Sequence, residues 1–469
     1  MKLYNTASRK IEEFKPLHPP DVSFYSCGPT VYDYTHIGHL RTYINNDVLK
    51  RFLQYLGYKM KHVMNITDVG HLTGDGDEGE DKMEKGAAKK GATVWDLAKV
   101  YTDYFLYSID ALNIKRPDVF SNATGHIPEF IDLIKILEKK GFAYETKEAV
   151  YFDVSKFKNY GKLSGQKLAE KKIAVREEVH ADPGKKNPAD FALWFKAVGR
   201  FKNHIMRWPS PWGDGFPGWH IECSAMCMKY LGDTVDVHAG GVDHIPVHHE
   251  NEIAQSEAAT GRPFVKYWFH NEFLLVNGQK MSKSLENFYT VDDIKKKNIN
   301  PMALRLLFLQ THYRQIMNFT WESLSAAETA LKKIKNAAAK LKEKAGVVVK
   351  MEDYTDAAKK LKNKFTAALE DDLQAPQALA VLWEALKSDI YPTEKLSLIL
   401  EFDQVLGLDL EKAKEEKITV PPDILEMADE REKARKMKDF RKSDELRRLI
   451  NQKGYDIEDT AKGPKISKK

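Results

Sequence analysis

The sequence predicts a parallel α/β fold that is split by an insertion and followed by an all-α region and a small C-terminal unit. Two stretches of the 469-residue chain alternate between short apolar strands and helical periodicity, the pattern of parallel βαβ units. From about residue 322 the chain is dominated by Ala, Leu, Lys and Glu, which is typical of consecutive amphipathic helices. A break at Pro421-Pro422 predicts a boundary before the last segment.

The first βαβ unit lies in the first 70 residues. Residues 22–26 have the apolar pattern of a short buried strand, which Gly28-Pro29 ends. Apolar side chains at helical spacing predict a helix over 38–55, and residues 61–66 predict a second strand. A strand, a helix and a strand in this order form a right-handed parallel unit.

The same alternation returns after an interruption. We predict helices over 221–230 and 248–259 and strands over 235–238 and 268–275. The predicted domains are therefore a parallel-sheet domain of residues 1–120 and 206–290, an inserted domain of 121–205, a linker of 291–321, a helical bundle of 322–418 and a small basic unit of 423–469.

Composition and charge exclude several classes of protein. Hydrophobic residues are 42% and charged residues 30% of the chain, as in globular proteins of several domains. No apolar run approaches the ~18 residues of a membrane helix, and no signal peptide is visible. The net charge of +5 is too small to indicate a polyanion partner by itself.

The cysteine count points to a reducing compartment. Cys27, Cys223 and Cys227 are too few for a disulfide scaffold, and in a reducing cytoplasm cysteine more often binds metal or reacts. We therefore expect a cytoplasmic protein. We also expect a monomer that has no membrane partner.

A polar loop over residues 70–79 suggests calcium at first sight. Counted from Asp75, an EF-hand would need Gly at the sixth position and Glu at the twelfth, where the chain has Glu80 and Gly86. We therefore predict a mobile surface connection here.

The first candidate site is His36-Ile37-Gly38-His39, which opens the first helix. Free backbone N–H groups and the helix dipole attract phosphate at such a position, and Gly38 lets a ligand approach the backbone. Two histidines in a turn can instead serve as capping or core residues.

The second candidate site is Lys280-Met281-Ser282-Lys283-Ser284, which follows the last predicted strand. Two lysines among small polar residues, in a loop led by Gly278, can close on a triphosphate and neutralise developing charge. Taken alone, the motif is equally typical of an exposed basic loop.

Together the two motifs resemble the signatures of class I aminoacyl-tRNA synthetases, and over essentially its full length the chain resembles the cysteinyl-tRNA synthetases. The residues that carry this resemblance are Tyr25-Ser26-Cys27-Gly28-Pro29-Thr30-Val31-Tyr32-Asp33, His36 to His39, Asn65-Ile66-Thr67-Asp68, Gly218-Trp219-His220-Ile221-Glu222-Cys223-Ser224-Ala225-Met226, His248-His249-Glu250-Asn251-Glu252 and Lys280 to Ser284. The resemblance implies a split Rossmann-like catalytic domain with a connective insertion and a helical anticodon-binding bundle.

The resemblance also implies one zinc ion per chain, held by Cys27, Cys223, His248 and Glu252. These residues offer two thiolates, an imidazole and a carboxylate, and His248 and Glu252 share a helix face. Sequence spacing alone would be weak support, because no Cys-x-x-Cys pair exists. Cys227, one turn after Cys223, could compete as a ligand but is more often simply buried.

The implied reaction joins L-cysteine to tRNA(Cys) with ATP and Mg²⁺, through a cysteinyl adenylate. His36, Gly38 and His39 would contact the ATP phosphates, and Lys283, helped by Lys280, would stabilise the departing pyrophosphate.

Three further residues are candidates for substrate contact. Thr67 and Trp219 would line the cysteine pocket, although Trp219 could equally be core. Asp243 would touch the ligand or serve a turn.

Residues 431–449 hold nine basic and four acidic residues, which favours contact with the tRNA backbone over a plain solvated helix face once the resemblance is considered. The nearest alternative is a cysteine–amino-sugar ligase of the mycothiol type, which would share the catalytic core but need no anticodon domain. A non-catalytic RNA-binding relative is a third hypothesis, and both complete signatures count against it.

Overall fold

A computed structural model describes residues 1–70, 82–166, 182–282, 285–414, 421–460 and 463–468. The chain divides into two compact units, Met1–Lys412 and Ala413–Lys469. Within the described ranges, no helix combines the length and the apolar character needed to span a bilayer. The loop predicted to be mobile lies, beyond Gly70, outside the described residues.

The strands of the described chain are short. They are β1 (Lys2–Asn5), β2 (Lys10–Glu13), β3 (Asp21–Ser26), β4 (Lys59–Ile66), β5 (Val119–Asn122), β6 (Ala143–Glu145), β7 (Ala149–Phe152), β8 (Phe191–Lys196), β9 (Gly215–Pro217), β10 (Val235–Gly241), β11 (Val265–Asn271), β12 (Leu274–Val276), β13 (Gln279–Lys280), β14 (Met317–Phe319), β15 (Tyr455–Thr460) and β16 (Gly463–Lys468).

Helices dominate the second half. They are α1 (Ile37–Tyr55), α2 (Lys82–Lys90), α3 (Val94–Ala111), α4 (Ile127–Lys139), α5 (Trp219–Leu231), α6 (Glu250–Thr260), α7 (Val291–Lys296), α8 (Met302–Leu309), α9 (Trp321–Ala345), α10 (Asp356–Glu370), α11 (Ala375–Lys387), α12 (Pro392–Leu406), α13 (Pro422–Lys436) and α14 (Phe440–Gln452).

A five-stranded sheet in the order β11-β10-β3-β4-β5 forms the centre of the first unit, and all its pairings are parallel. The predicted parallel α/β fold is thus confirmed. The strand expected over 268–275 differs, because β11 ends at Asn271 and β12 belongs to a separate sheet of order β13-β12-β14. Position in this sheet matters because the carboxyl ends of parallel strands are where ligands bind.

The helix expected over 248–259 also begins differently. A π-helical turn, Ile245–His249, precedes α6 and carries His248 and His249. Such wide turns occur mostly at functional sites.

The insertion builds its own antiparallel sheet. Strands β6 to β9 lie between β5 and α5 in the chain and pair with one another in that order. The last strand, Gly215–Pro217, lies beyond residue 205, where the predicted insertion ends. Aromatic side chains fill its core, where the rings of Phe152 and Phe191 stack 5.0 Å apart. The domain boundaries given above stay predictions.

Buried charges fix α1 against the helices that follow the sheet. Asp47 Oδ2 accepts from Arg305 Nη2 at 2.6 Å and from Arg51 Nε at 2.7 Å. Arg305 Nε also donates to the Leu406 carbonyl at the end of α12. Since an unpaired buried charge is costly, these bonds hold α1, α8 and α12 in one arrangement.

The second unit consists of α13, α14 and the β15–β16 hairpin. Its small core contains Ile424, Ala428, Ile450 and Ile457. Arg431 spans the core edge and donates to both carboxylate oxygens of Asp459, at 2.7 and 3.0 Å.

Candidate active site and metal centre

A cavity of about 280 Å³ opens beside the carboxyl ends of β3 and β10. Its walls come from the segment after β3, the start of α1, the start of α5 and the turn before α6. This is the edge of a parallel sheet at which ligands bind. Among the residues named from the sequence, the cavity is lined by Cys27, His39, Trp219, Cys223, Asp243 and His248.

The four residues expected to hold a metal meet at one wall of this cavity. Their donor atoms all lie within 4.8 Å of one another. The side chains of Cys27, Cys223, His248 and Glu252 are each at most 5% exposed. Two thiols, one imidazole and one carboxylate suit Zn²⁺, so this buried group could bind a metal. Cys227 is buried but belongs to neither donor group formed by the described residues.

The electrostatics of this group favour an added cation. Although burial opposes ionisation, Cys27 and His248 lower the pKa of Cys223 to about 7. Against the same burial, Glu252 and Cys223 raise the pKa of His248 to about 10, and His238 and His248 hold the pKa of the Glu252 carboxyl well below its usual range. Buried thiolate and carboxylate attract positive charge, which a bound metal would supply.

Two further histidines reach the same group, and sequence reasoning missed both. His238 Nε2 lies 2.7 Å from Glu252 Oε2, and His249 Nε2 lies 3.3 Å from the Cys27 sulfur. With Cys27 and Glu252 they form a second donor set, also within 4.8 Å. The adjacent pair His248-His249 was a usable signal for His249, whereas nothing in the spacing singled out His238 on β10.

Backbone packing at the end of β3 fixes Cys27. Its N–H donates to the Ala239 carbonyl at 2.9 Å, and the N–H of Gly28 donates to Asn65 Oδ1 at 2.7 Å. A Cβ on Gly28 would lie 1.7 Å from the Asn65 carbonyl oxygen. Only glycine therefore fits beside this thiol.

His36 caps α1 with its ring. Its Nδ1 accepts from the N–H groups of Gly38 and His39 at 3.1 and 3.3 Å. Because a nitrogen that accepts carries no proton, the ring proton lies on Nε2, which is left as a donor. The rings of His36 and His39 stack with centroids 3.6 Å apart, and His39 lines the cavity.

Replacing His36 by Asn should flatten the acid dependence of stability. Burial, and then His39, lower the pKa of His36 to about 2, whereas the unfolded chain protonates it below ~6.5. This contribution to stability is therefore present above pH ~6.5 and lost as the pH falls toward 2. Asn still offers a cap but does not titrate, so the melting temperature of His36→Asn should fall less than that of the wild type between about pH 7 and pH 5. Equal falls would contradict a neutral His36.

The second signature begins beside the first. Lys280 lies on β13, while Lys283 and Ser284 lie outside the described residues. Met281 Cε stands 3.6 Å from where a Cβ on Gly38 would lie, and the ring of His36 stands 2.9 Å from the same point. A side chain at Gly38 would therefore clash with the ring of His36, while it would meet Met281 at ordinary contact distance.

Asn287 holds the start of this loop and was missed in the sequence. Its Oδ1 accepts from the Ser282 N–H at 2.7 Å, and its Nδ2 donates to the Lys280 carbonyl at 3.1 Å. An Asn a few residues after a lysine-rich motif was the available signal.

The three candidate substrate contacts differ in placement. Trp219 lines the cavity and stacks on His248 with ring centroids 4.4 Å apart, and Asp243 lines the cavity as well. Thr67 is fully buried and is not among the described residues that line it, since its hydroxyl donates to Glu222 Oε2 at 3.0 Å. The roles of all three stay predictions.

Known proteins resemble this chain in sequence over nearly its whole length. Residues 13–329 match the family model described as the tRNA synthetases class I (C) catalytic domain. A cysteine–tRNA ligase of Treponema denticola is 43% identical over 486 aligned positions that cover 98% of each chain. One from Thermus thermophilus is 42% identical, covering 99% of this chain and 98% of its own.

Solved structures resemble the fold. A methionyl-tRNA synthetase of Mycobacterium tuberculosis, in complex with methionyl-adenylate, has a TM-score of 0.56 at 16% identity, covering 83% of this chain and 90% of its own. A LeuRS of Agrobacterium radiobacter, in a ternary complex, has a TM-score of 0.58 at 12% identity, covering 84% of each chain. These two support the fold alone. Because the sequence similarity is full-length and includes the catalytic domain, the chain belongs to the cysteine–tRNA ligases, within the class I aminoacyl-tRNA synthetases.

Proposed function

We propose that this chain activates L-cysteine with ATP in the cavity beside β3 and β10 and transfers it to tRNA(Cys). The cysteine carboxylate attacks the α-phosphorus of ATP, and pyrophosphate leaves. The terminal ribose hydroxyl of the tRNA then attacks the carbonyl of the adenylate, and AMP leaves. Both steps depend on positioning and on stabilising developing charge. The observation that carries the proposal is the buried thiol, imidazole and carboxylate group at the wall of this cavity.

Cys27, Cys223, His248 and Glu252 would hold a Zn²⁺ ion, at which the substrate thiol would be recognised. Bound there, the ion supplies a soft Lewis-acid position that a thiolate fills and a serine hydroxyl does not. Packing alone separates such near-isosteres by only about 10²-fold. Trp219 stacks on His248 and so keeps this ligand in place at the cavity wall. His238 contacts Glu252 and His249 contacts the Cys27 sulfur, so each histidine helps to orient one of these ligands.

The phosphates of ATP, with Mg²⁺, lie between the two signatures. His36 and His39 donate from the start of α1, where Gly38 adds no side chain. Lys280, at the end of β13, stabilises the departing pyrophosphate together with Lys283. Neutral imidazoles suit this role because each donates an N–H without moving a proton.

The tRNA is bound in part by the turn that joins α13 and α14. Met437 is 81% and Phe440 60% exposed there, and Lys438 and Arg441 flank them. Exposed aromatic rings stack on unpaired bases, while lysine and arginine contact phosphates. This combination fits a single-stranded loop of RNA.

We expect Phe440→Ala to weaken tRNA binding by about 1–3 kcal/mol without changing cysteine-dependent ATP–pyrophosphate exchange. Loss of a stacked base contact explains the first effect. The second is expected because ATP–pyrophosphate exchange takes place without tRNA. Binding should be measured by filter retention at several salt concentrations. Leu425→Ala, an exposed apolar residue on α13, is the control and should bind as the wild type. Equal binding by all three proteins would remove this turn from the interface.

The decisive experiment is transfer of labelled cysteine to purified tRNA with ATP and Mg²⁺, with serine in parallel. Transfer of cysteine alone supports both the ligase and thiol recognition by the metal. Transfer of both amino acids keeps the ligase and overturns the account of selectivity. Transfer to an amino sugar but not to tRNA would instead favour the mycothiol-type alternative, which the full-length family membership disfavours.

A further inference from the structure

A buried arginine on α1 lies two residues after His39. Arg41 is 1% exposed, and its guanidinium donates to four backbone carbonyls of the described chain. Nη1 donates to Glu272 and Phe273 at 2.6 and 2.8 Å, and Nη2 donates to His312 and Gln315 at 3.2 and 2.5 Å. One side chain therefore joins the first turns of α1 to two separate segments of chain.

Both segments lead into the small sheet that carries the second signature. Glu272 and Phe273 connect β11 to β12, and His312 and Gln315 lie just before β14. In the order β13-β12-β14, strand β12 pairs with both others, and β13 contains Lys280. The hydrogen bonds of Arg41 are thus made to the chain just before β12 and just before β14. These are two strands of the sheet whose third strand contains Lys280.

The first turns of α1 also pack on this small sheet through apolar side chains. Ile37 and Leu40 share one hydrophobic core with Leu274, Val276 and Met317. Apolar packing is non-directional, so it sets the relative placement of the two parts less strictly than directional bonds do. The four hydrogen bonds of Arg41 are directional, and they fix the chain just before β12 and just before β14.

The chemistry of this anchor requires an arginine. The planar fork of a guanidinium presents donors on both Nη atoms and reaches two segments at once. A lysine has a single nitrogen and cannot bridge four carbonyls divided between two chain segments. A buried cation is costly in free energy without its hydrogen-bond acceptors. Moving either segment away from Arg41 would therefore destabilise the fold.

We propose that Arg41 is a positioning residue that sets the distance between Lys280 and the pair His36 and His39. ATP phosphates must be held from both sides at once, and Arg41 fixes the two sides relative to each other. This inference rests on the proposed function, because it assumes that both signatures act on ATP. Misplacement by about 1 Å can cost about 100-fold in rate.

The test compares Arg41→Lys with Arg305→Lys in cysteine-dependent ATP–pyrophosphate exchange. Arg305 on α8 is equally buried and bonds to the carbonyls of Leu406 and Leu112 as well as to Asp47 in the middle of α1, so none of these partners is a signature residue. We expect Arg41→Lys to raise the KM for ATP or lower kcat by about 10- to 100-fold, with the KM for cysteine and the zinc content within about twofold of the wild type. Arg305→Lys should lower the melting temperature and leave the KM for ATP unchanged.

The outcomes are distinct. If the wild type shows no cysteine-dependent exchange, the proposed function fails, whatever the variants do. If the wild type is active and Arg41→Lys keeps both its KM for ATP and its kcat per folded molecule, this inference alone fails. Arg41→Gln, which buries no charge, replaces Arg41→Lys if the lysine variant does not fold. Failure of both to fold would assign Arg41 a purely structural role and overturn the proposal.

Discussion

Replacing Cys223 by serine should remove the bound metal and cysteine-dependent pyrophosphate exchange together. Cys223 is 1% exposed, lines the cavity and shares a 4.8 Å donor group with Cys27, His248 and Glu252. A hydroxyl does not ionise at neutral pH, so Cys223→Ser deletes one of two thiolate ligands. We expect metal content to fall well below one ion per chain and exchange to fall by on the order of 10² or more.

The matched control is Cys227→Ser, one helical turn further along α5. Cys227 is also fully buried, yet it is outside both donor groups of the described residues. Metal content, measured by elemental analysis of the purified protein, and exchange should both stay near wild type in Cys227→Ser. Loss of metal from Cys227→Ser with retention in Cys223→Ser would exchange the roles assigned to the two cysteines.

Replacing Gly28 by alanine should reduce metal content and pyrophosphate exchange about as much as Cys223→Ser, for a steric reason. The added Cβ would lie 1.7 Å from the Asn65 carbonyl oxygen and 2.9 Å from Met64 Cγ. Asn65 cannot retreat, because it is in β4 and pairs with Ser121 of β5. The segment after β3 must move instead, and Cys27 moves with it. We expect either loss of folded protein or a metal-deficient protein whose exchange is reduced by about 100-fold.

Gly125→Ala is the control for this prediction, since a Cβ there meets no atom within 4 Å. Both variants should be compared by circular dichroism, metal content and exchange. A Gly28→Ala protein that is folded, loaded with metal and fully active would show that the backbone beside Cys27 is less constrained than the close approach implies.

The sheet could be predicted from the sequence because it is encoded locally. Each strand of the first βαβ unit is a short apolar run next to a helix of clear periodicity, and β3, α1 and β4 fall within two residues of the expected bounds. The division between β11 and β12 was missed, although the polar run His270-Asn271-Glu272 interrupts the apolar residues from 268 to 275 and was a usable signal.

The proximity of the residues that belong to motifs could be predicted from the sequence. The contacts that depend on how distant segments pack were missed. The motif residues Cys27, Cys223, His248 and Glu252 do meet in space, as their donor distances require of a metal group. His238 escaped notice because its position depends on which strand lies beside β3, and sequence order does not give strand order. Asn65 and Arg41 act through backbone groups of distant segments, which no local pattern encodes.

The π-helical turn Ile245–His249 has a consequence for how this chain can change by insertion and deletion. A π turn contains one residue more than the α-helical turn it replaces. Deleting one residue from 245 to 247 would restore regular helix geometry, and it would also rotate His248 and Glu252 together by about 100° relative to the chain before the turn and so relative to Cys27. Selection for helix regularity and selection for the donor group therefore oppose each other at this turn. Single-residue deletions should be tolerated in the surface connections of the bundle far more readily than between residues 245 and 249.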